Sequence, residues 1–122
     1  MGNKRKIFFR ADAGAQIGYG HFIRSLALVD MLRGDFDCTF FTQSPSEYQR
    51  KEVAKLCNLI ALPSDESKFD KFLQYLSGNE IVVLDNYFYG YNYQQKIKQK
   101  GCKLVCIDDV HQYAFCSDII IC

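Results

Sequence analysis

Six short apolar runs, at residues 6–10, 38–42, 59–62, 81–85, 103–108 and 119–122, are separated by longer stretches with helical spacing. This alternation limits the fold more than any other feature of the chain. Runs that are apolar on both faces and alternate with helices imply a parallel sheet covered on both sides. After Gly20, Phe22, Ile23, Leu26, Ala27, Val29 and Leu32 recur at three- and four-residue intervals until Gly34, which reads as a stop. A second helix is expected to open with Ser44 as cap, Pro45 in the first helical position and Glu47 reaching back, and to run to about residue 57. A third covers 65–76, acidic in its first turn and closed by Gly78, and a fourth covers 92–100, stopped by Gly101. The order β-α-β-α-β-α-β-α-β-β with right-handed crossovers gives a doubly wound, mostly parallel Rossmann-like α/β sheet, strand order 3-2-1-4-5-6.

The 122 residues suit a single domain. Fifteen basic against fourteen acidic residues leave a net charge of +1. That gives no electrostatic footprint for duplex nucleic acid or an anionic membrane. Apolar stretches of about five residues fall far short of the ~20 that span a bilayer. The basic N-terminus lacks a signal-peptide core, so a cytoplasmic location is expected. The six cysteines form no C-x-x-C and no trusted zinc spacing, so reduced thiols and no metal or other cofactor are expected. The last run ends on Ile119-Ile120-Ile121-Cys122 without a polar tail, from which a further domain, on the same chain or a partner chain, is expected.

A doubly wound sheet binds ligands at the carboxyl ends of its strands, where the strand order reverses. Here that point lies between the first and fourth strands. Two loops converge on it, residues 10–21 and residues 85–90, and the fifth strand brings Asp108 and Asp109 to the same rim. Gly18 and Gly20 let backbone N–H groups approach a phosphate or another oxygen-rich group beside Tyr19, unless the loop is a plain turn. It is neither G-x-G-x-x-G nor a P-loop. His21 falls in the first helical turn, where the helix dipole favours the neutral ring and suits it to take a proton from water; the plainer alternative is a cap or a packing residue. Arg24, three residues on, can hold an anionic group or pair with Asp12. Tyr87, Phe88, Tyr89, Tyr91 and Tyr93 could stack on a sugar or base, or simply pack. Asp108-Asp109 more often caps a turn than binds a metal.

The pattern Arg10-x-Asp12-x₄-Ile17-Gly18-x-Gly20-His21-x-x-Arg24-x-x-x-Leu28 resembles the opening of the UDP-2,4-diacetamido-2,4,6-trideoxy-β-L-altropyranose hydrolases of pseudaminic acid biosynthesis, relatives of the GT-B glycosyltransferases. The likeness continues in Leu84-Asp85-x-Tyr87, Ile107-Asp108-Asp109 and Cys116-x-Asp118-Ile119-Ile120-Ile121, and so covers nearly the whole chain. It departs where the family's usual histidine before the loop tyrosine is Asn86. The resemblance implies a metal-independent hydrolase acting on a UDP-sugar in polysaccharide biosynthesis. In it His21 is the catalytic base, and Arg10, Asp12, Gly18, Tyr19, Gly20, Arg24 and Tyr87 meet the substrate. It also implies that a C-terminal half holds most of the uridine diphosphate. The alternatives are the acceptor-binding domain of a GT-B glycosyltransferase and a non-catalytic interaction module. The last ranks lowest, because receiver modules need an acidic pair where this first strand ends in Arg10.

Overall fold

The computed structural model describes residues 4–13, 18–85, 90–107 and 118–121. In chain order the elements are β1 (Arg5–Ala11), α1 (Gly20–Leu32), β2 (Phe36–Gln43), α2 (Glu47–Ala54), β3 (Asn58–Leu62), α3 (Ser67–Gln74), β4 (Ile81–Asp85), α4 (Tyr91–Gln99), β5 (Lys103–Ile107) and β6 (Ile119–Ile121). The strands form one six-stranded sheet in the order β3-β2-β1-β4-β5-β6. Every neighbouring pair is parallel. This is the doubly wound Rossmann-like sheet that the alternation predicts.

Successive strand residues point to opposite faces, and the parity divides the core in two. Ile7, Phe9 and Ala11 of β1, Cys38 and Phe40 of β2 and Val83 of β4 pack with Phe22, Leu26 and Val29 of α1 and Val53 of α2. Phe8, Phe41, Val82, Leu84, Leu104 and Cys106 pack with Phe72 and Leu73 of α3 and Ile97 of α4. Aromatic contacts tie each layer to the sheet. Phe22 meets Phe40 edge-on at 5.5 Å on the first face, and Phe72 meets Phe41 edge-on at 5.0 Å on the second. Each such ring, fully buried, contributes roughly 2–3 kcal/mol by leaving water.

The helix starts differ from expectation in an instructive way. α2 begins two residues later than Ser44 would place it. Ser46 is its cap, accepting the Gln49 N–H, while the Gln49 side chain accepts the Ser46 N–H. Ser44 is committed elsewhere: its backbone N–H reaches the Leu62 carbonyl at 2.8 Å, joining the ends of β2 and β3. α3 also opens late, because the Asp65 carboxylate accepts the Ser67 N–H and hydroxyl and holds the preceding residues in a turn. Gly34 is not a left-handed stop; α1 ends on Arg33 in ordinary helical geometry.

Gly101 directly follows Lys100, the cap of α4, whereas α3 ends on Tyr75 and Gly78 lies three residues further on, in the turn before β4; the two glycines depend on each other. Their φ values are +108° and +105°. A Cβ on Gly78 would stand 2.4 Å from the Lys100 carbonyl oxygen, and one on Gly101 3.2 Å from the Gly78 carbonyl oxygen. The turns that feed β4 and β5 are thus packed backbone against backbone. Glu80, just before β4, fixes the first of them by accepting from the Ser77 hydroxyl and from the N–H groups of Ser77 and Gly78. Burial pushes the Glu80 carboxyl up, but these bonds outweigh it and bring it down to about 2.

Cys38, Cys57 and Cys102 are free thiols. Burial pushes Cys57 up to about 12, and burial with the neighbouring Glu80 pushes Cys102 up to about 11. Cys116 and Cys122 lie outside the described residues. Among the described residues no helix is long and apolar enough to cross a membrane.

Gly78→Ala is expected to cost about 2–3 kcal/mol in urea denaturation, through both its φ and the carbonyl it would strike. Gly34→Ala, with open space around it, is expected to stay within about 0.5 kcal/mol of the parent or exceed it. Equal behaviour of the two variants would contradict the interlocked turns.

Candidate functional site

The strand order reverses between β1 and β4, whose ends lie side by side with Ala11 opposite Asp85. α1 leaves from the same carboxyl edge. Gly18 has φ +80°, a conformation that favours glycine, and Tyr19 is the cap of α1 without a side-chain bond of its own. The chain therefore turns back over the sheet at once, and the first turns of α1 lie against the end of β4. Parity does the rest. Asp85 shares its face with Ile81 and Val83, the face that α1 covers.

Asp85 is fully buried. It receives His21 Nδ1 at Oδ1, 2.8 Å, and Arg24 Nε at Oδ2, 2.7 Å. A second guanidinium nitrogen, Arg24 Nη2, donates to Oδ1, and the Ser25 hydroxyl donates to Oδ2 at 3.0 Å. A carboxylate offers about four lone-pair positions, and polar groups from little more than one turn of one helix, residues 21 to 25, fill them. His21 is itself 5% exposed, and the Arg24 side chain is 34% exposed. The histidine singled out by its place after the glycines thus stands on a carboxylate 64 positions away in sequence.

This corrects the pairing of Arg24 with Asp12. Arg24 lies on the α1 side of the sheet, and its fork is closed on Asp85. Asp12 belongs to a separate cluster on the α3 side. There it holds the Arg10 guanidinium at both oxygens, accepts the Gln43 N–H at 2.8 Å and lies 3.7 Å from Lys68 Nζ. Lys68, from the first turn of α3, also donates to the Gln43 side chain at 2.7 Å. Arg10 is 1% exposed and Asp12 is closed off completely. In this structure the two residues bind each other and pin the ends of β1, β2 and α3 together.

The other sequence candidates separate as follows. Gly20 is the first residue of α1, with open space at its Cα. Tyr19 is exposed and meets Phe22 and Tyr48 edge-on at 6.5 and 6.1 Å. Tyr91 is exposed at the start of α4, whereas Tyr93 packs edge-on against Phe69 and donates its hydroxyl to the Phe69 carbonyl at 2.9 Å. Burial pushes the Tyr93 phenol upward. Tyr87, Phe88, Tyr89, Asn86, Asp108, Asp109 and His111 lie outside the described residues. Among the described residues, no group of three or more His, Cys, Asp or Glu side chains could hold a metal ion.

Sequence reasoning passed over Ser25, and it placed Asp85 at the start of the second loop without giving it a role. A signal was present. An acid that ends a fully apolar strand at the switch point, on the face of the helix that follows β1, is within reach of that helix's first polar residues. No family model matches the chain, and no curated protein does.

Asp12→Ala is expected to cost about 3–5 kcal/mol in urea denaturation, since it leaves the Arg10 charge buried without its carboxylate. A loss below about 1 kcal/mol would show that the Arg10–Asp12 pair is not what closes this end of the sheet.

Proposed function

We propose that the chain is the N-terminal, base-carrying domain of a nucleotide-sugar hydrolase that releases UDP from a UDP-linked diacetamido-trideoxy-hexose in the biosynthesis of a cell-surface sugar acid. The reading rests on the sequence resemblance, and one structural observation supports it above the others. His21 sits in the first turn of α1 at the sheet's reversal point, held through one ring nitrogen by a buried carboxylate. An imidazole so placed can take a proton from water at the carboxyl edge of a Rossmann-like sheet, where ligands of this fold class bind.

In the proposed reaction water attacks the anomeric carbon and His21 takes its proton. The bond from that carbon to the distal phosphate oxygen breaks, and UDP departs with the electron pair. A pyrophosphate needs little acid assistance, so one base with donors around the leaving group can be sufficient. The glycine-bearing turn at Gly18 and the exposed Tyr19 lie beside His21 in sequence and are the proposed sugar-facing groups, with Tyr87 from the second loop. Arg10, Asp12 and Arg24 act here through the loop ends they hold. The nucleotide would be held mainly by a second domain, as the resemblance implies, and no metal is required.

The test is UDP release from the UDP-sugar by the two-domain enzyme at saturating substrate, with an acceptor sugar added in parallel. His21→Asn is expected to lower turnover at least ~100-fold while leaving the fold and KM nearly unchanged. Tyr87→Phe is expected to do less. Retained turnover in His21→Asn would overturn the mechanism, and UDP release only with the acceptor present would make the chain part of a glycosyltransferase.

A further inference from the structure

We infer that Asp85 is the positioning residue of this site: it selects the ring tautomer of His21 and so decides which nitrogen faces the reaction. The inference rests on the reading of His21 as the base. It starts from a conflict in the geometry. His21 Nδ1 lies 2.8 Å from Asp85 Oδ1 and 3.1 Å from Arg24 Nη2. A neutral imidazole nitrogen either donates or accepts, and it cannot do both.

The conflict resolves through Asp85. A guanidinium can only donate, and a carboxylate with four incoming donors can only accept. If Nδ1 accepted from Arg24, its lone pair would point at the guanidinium and the 2.8 Å approach to Oδ1 would set two acceptors against each other. If Nδ1 carries the proton, both it and Arg24 Nη2 donate to the same oxygen, and their 3.1 Å separation is that of two donors converging on one acceptor. The second arrangement is consistent with each of these contacts. Neutral His21 then bears its proton on Nδ1 and presents the Nε2 lone pair as the basic site.

Arg24 and Ser25 have a part in this. Each anchors the Oδ2 side of Asp85, at 2.7 and 3.0 Å, so the carboxylate cannot rotate its bonded oxygen away from the ring. The Arg24–Asp85 pair is neutral as a unit. The carboxylate therefore orients the imidazole without setting an uncompensated negative charge beside it. All three residues that act on Asp85 come from one helix, whereas Asp85 ends β4, so any movement of α1 against β4 would pull the base away from its holder.

The experiment is ¹⁵N NMR of the imidazole ring in the uniformly labelled chain at mildly alkaline pH, where two-bond couplings distinguish the tautomers. The chain has two histidines, and His21→Asn assigns their signals. The wild-type His21 ring is expected to show the Nδ1–H pattern, and Asp85→Ala the Nε2–H pattern that predominates for free histidine. A wild-type Nε2–H ring would overturn the inference, even should Asp85→Ala fail to fold. In the UDP-release assay, Asp85→Ala is expected to lower kcat at least ~10-fold with KM within about threefold. Full kcat in Asp85→Ala beside an inactive His21→Asn would overturn the positioning role alone. Full turnover in both would overturn the hydrolase reading and the inference with it.

Discussion

The site at the carboxyl edge of the sheet hangs on one buried carboxylate. Asp85 lies where β4 ends and receives donors from His21, Arg24 and Ser25 of α1. A buried carboxylate without such partners would carry a large desolvation cost, and each partner removed would return part of it. The arrangement therefore couples stability to chemistry: the bonds that make burial of Asp85 tolerable also set the ring that is proposed to do the work. Hydrophobic packing supplies the complementary constraint. Phe22, Leu26 and Val29 hold α1 flat against β1 and β2, which brings its first turn to the end of β4.

The sheet itself keeps two charged clusters apart. Odd-numbered residues of β1 face α1, and even-numbered ones face α3, so Arg10 and Asp12 join Lys68 and Gln43 on one side. Asp85, paired in register with Ala11, joins the α1 groups on the other. The adjacent ends of β1 and β4 thus serve two purposes. One cluster closes the edge of the sheet around β1, β2 and α3. The other carries the candidate base. Interchanging their partners would require a charged side chain to pass through the strand layer.

The architecture was legible because it depends on local, repeated signals. Apolar runs, helical spacing and the glycines after α3 and α4 fix the order of elements, and handedness then leaves little choice of strand order. Where the reading slipped, two residues of similar chemistry competed. Ser44 and Ser46 both flank Pro45; the cap falls to Ser46, which closes a capping box with Gln49, while the Ser44 backbone is bonded to Leu62 at the end of β3. At the site, His21 and Arg24 could be singled out from their spacing on one helix, but their common partner could not. Asp85 is 64 residues from His21, and nothing in the local pattern links them. Strand parity with the switch-point rule would have made the link, and it also shows why Arg24 does not reach Asp12.

The claim that Asp85 ties α1 to β4 is tested most directly by a double-mutant cycle on stability, with Arg24→Ala, Asp85→Ala and the double variant compared in urea denaturation. Groups in one bonded network couple by about 0.5–3 kcal/mol, whereas independent sites add to within about 0.3–0.5 kcal/mol. A coupling above about 1 kcal/mol is the result this structure requires. Additivity within about 0.3 kcal/mol would mean that Arg24 and Asp85 do not hold one another in solution, and the site as described would not stand.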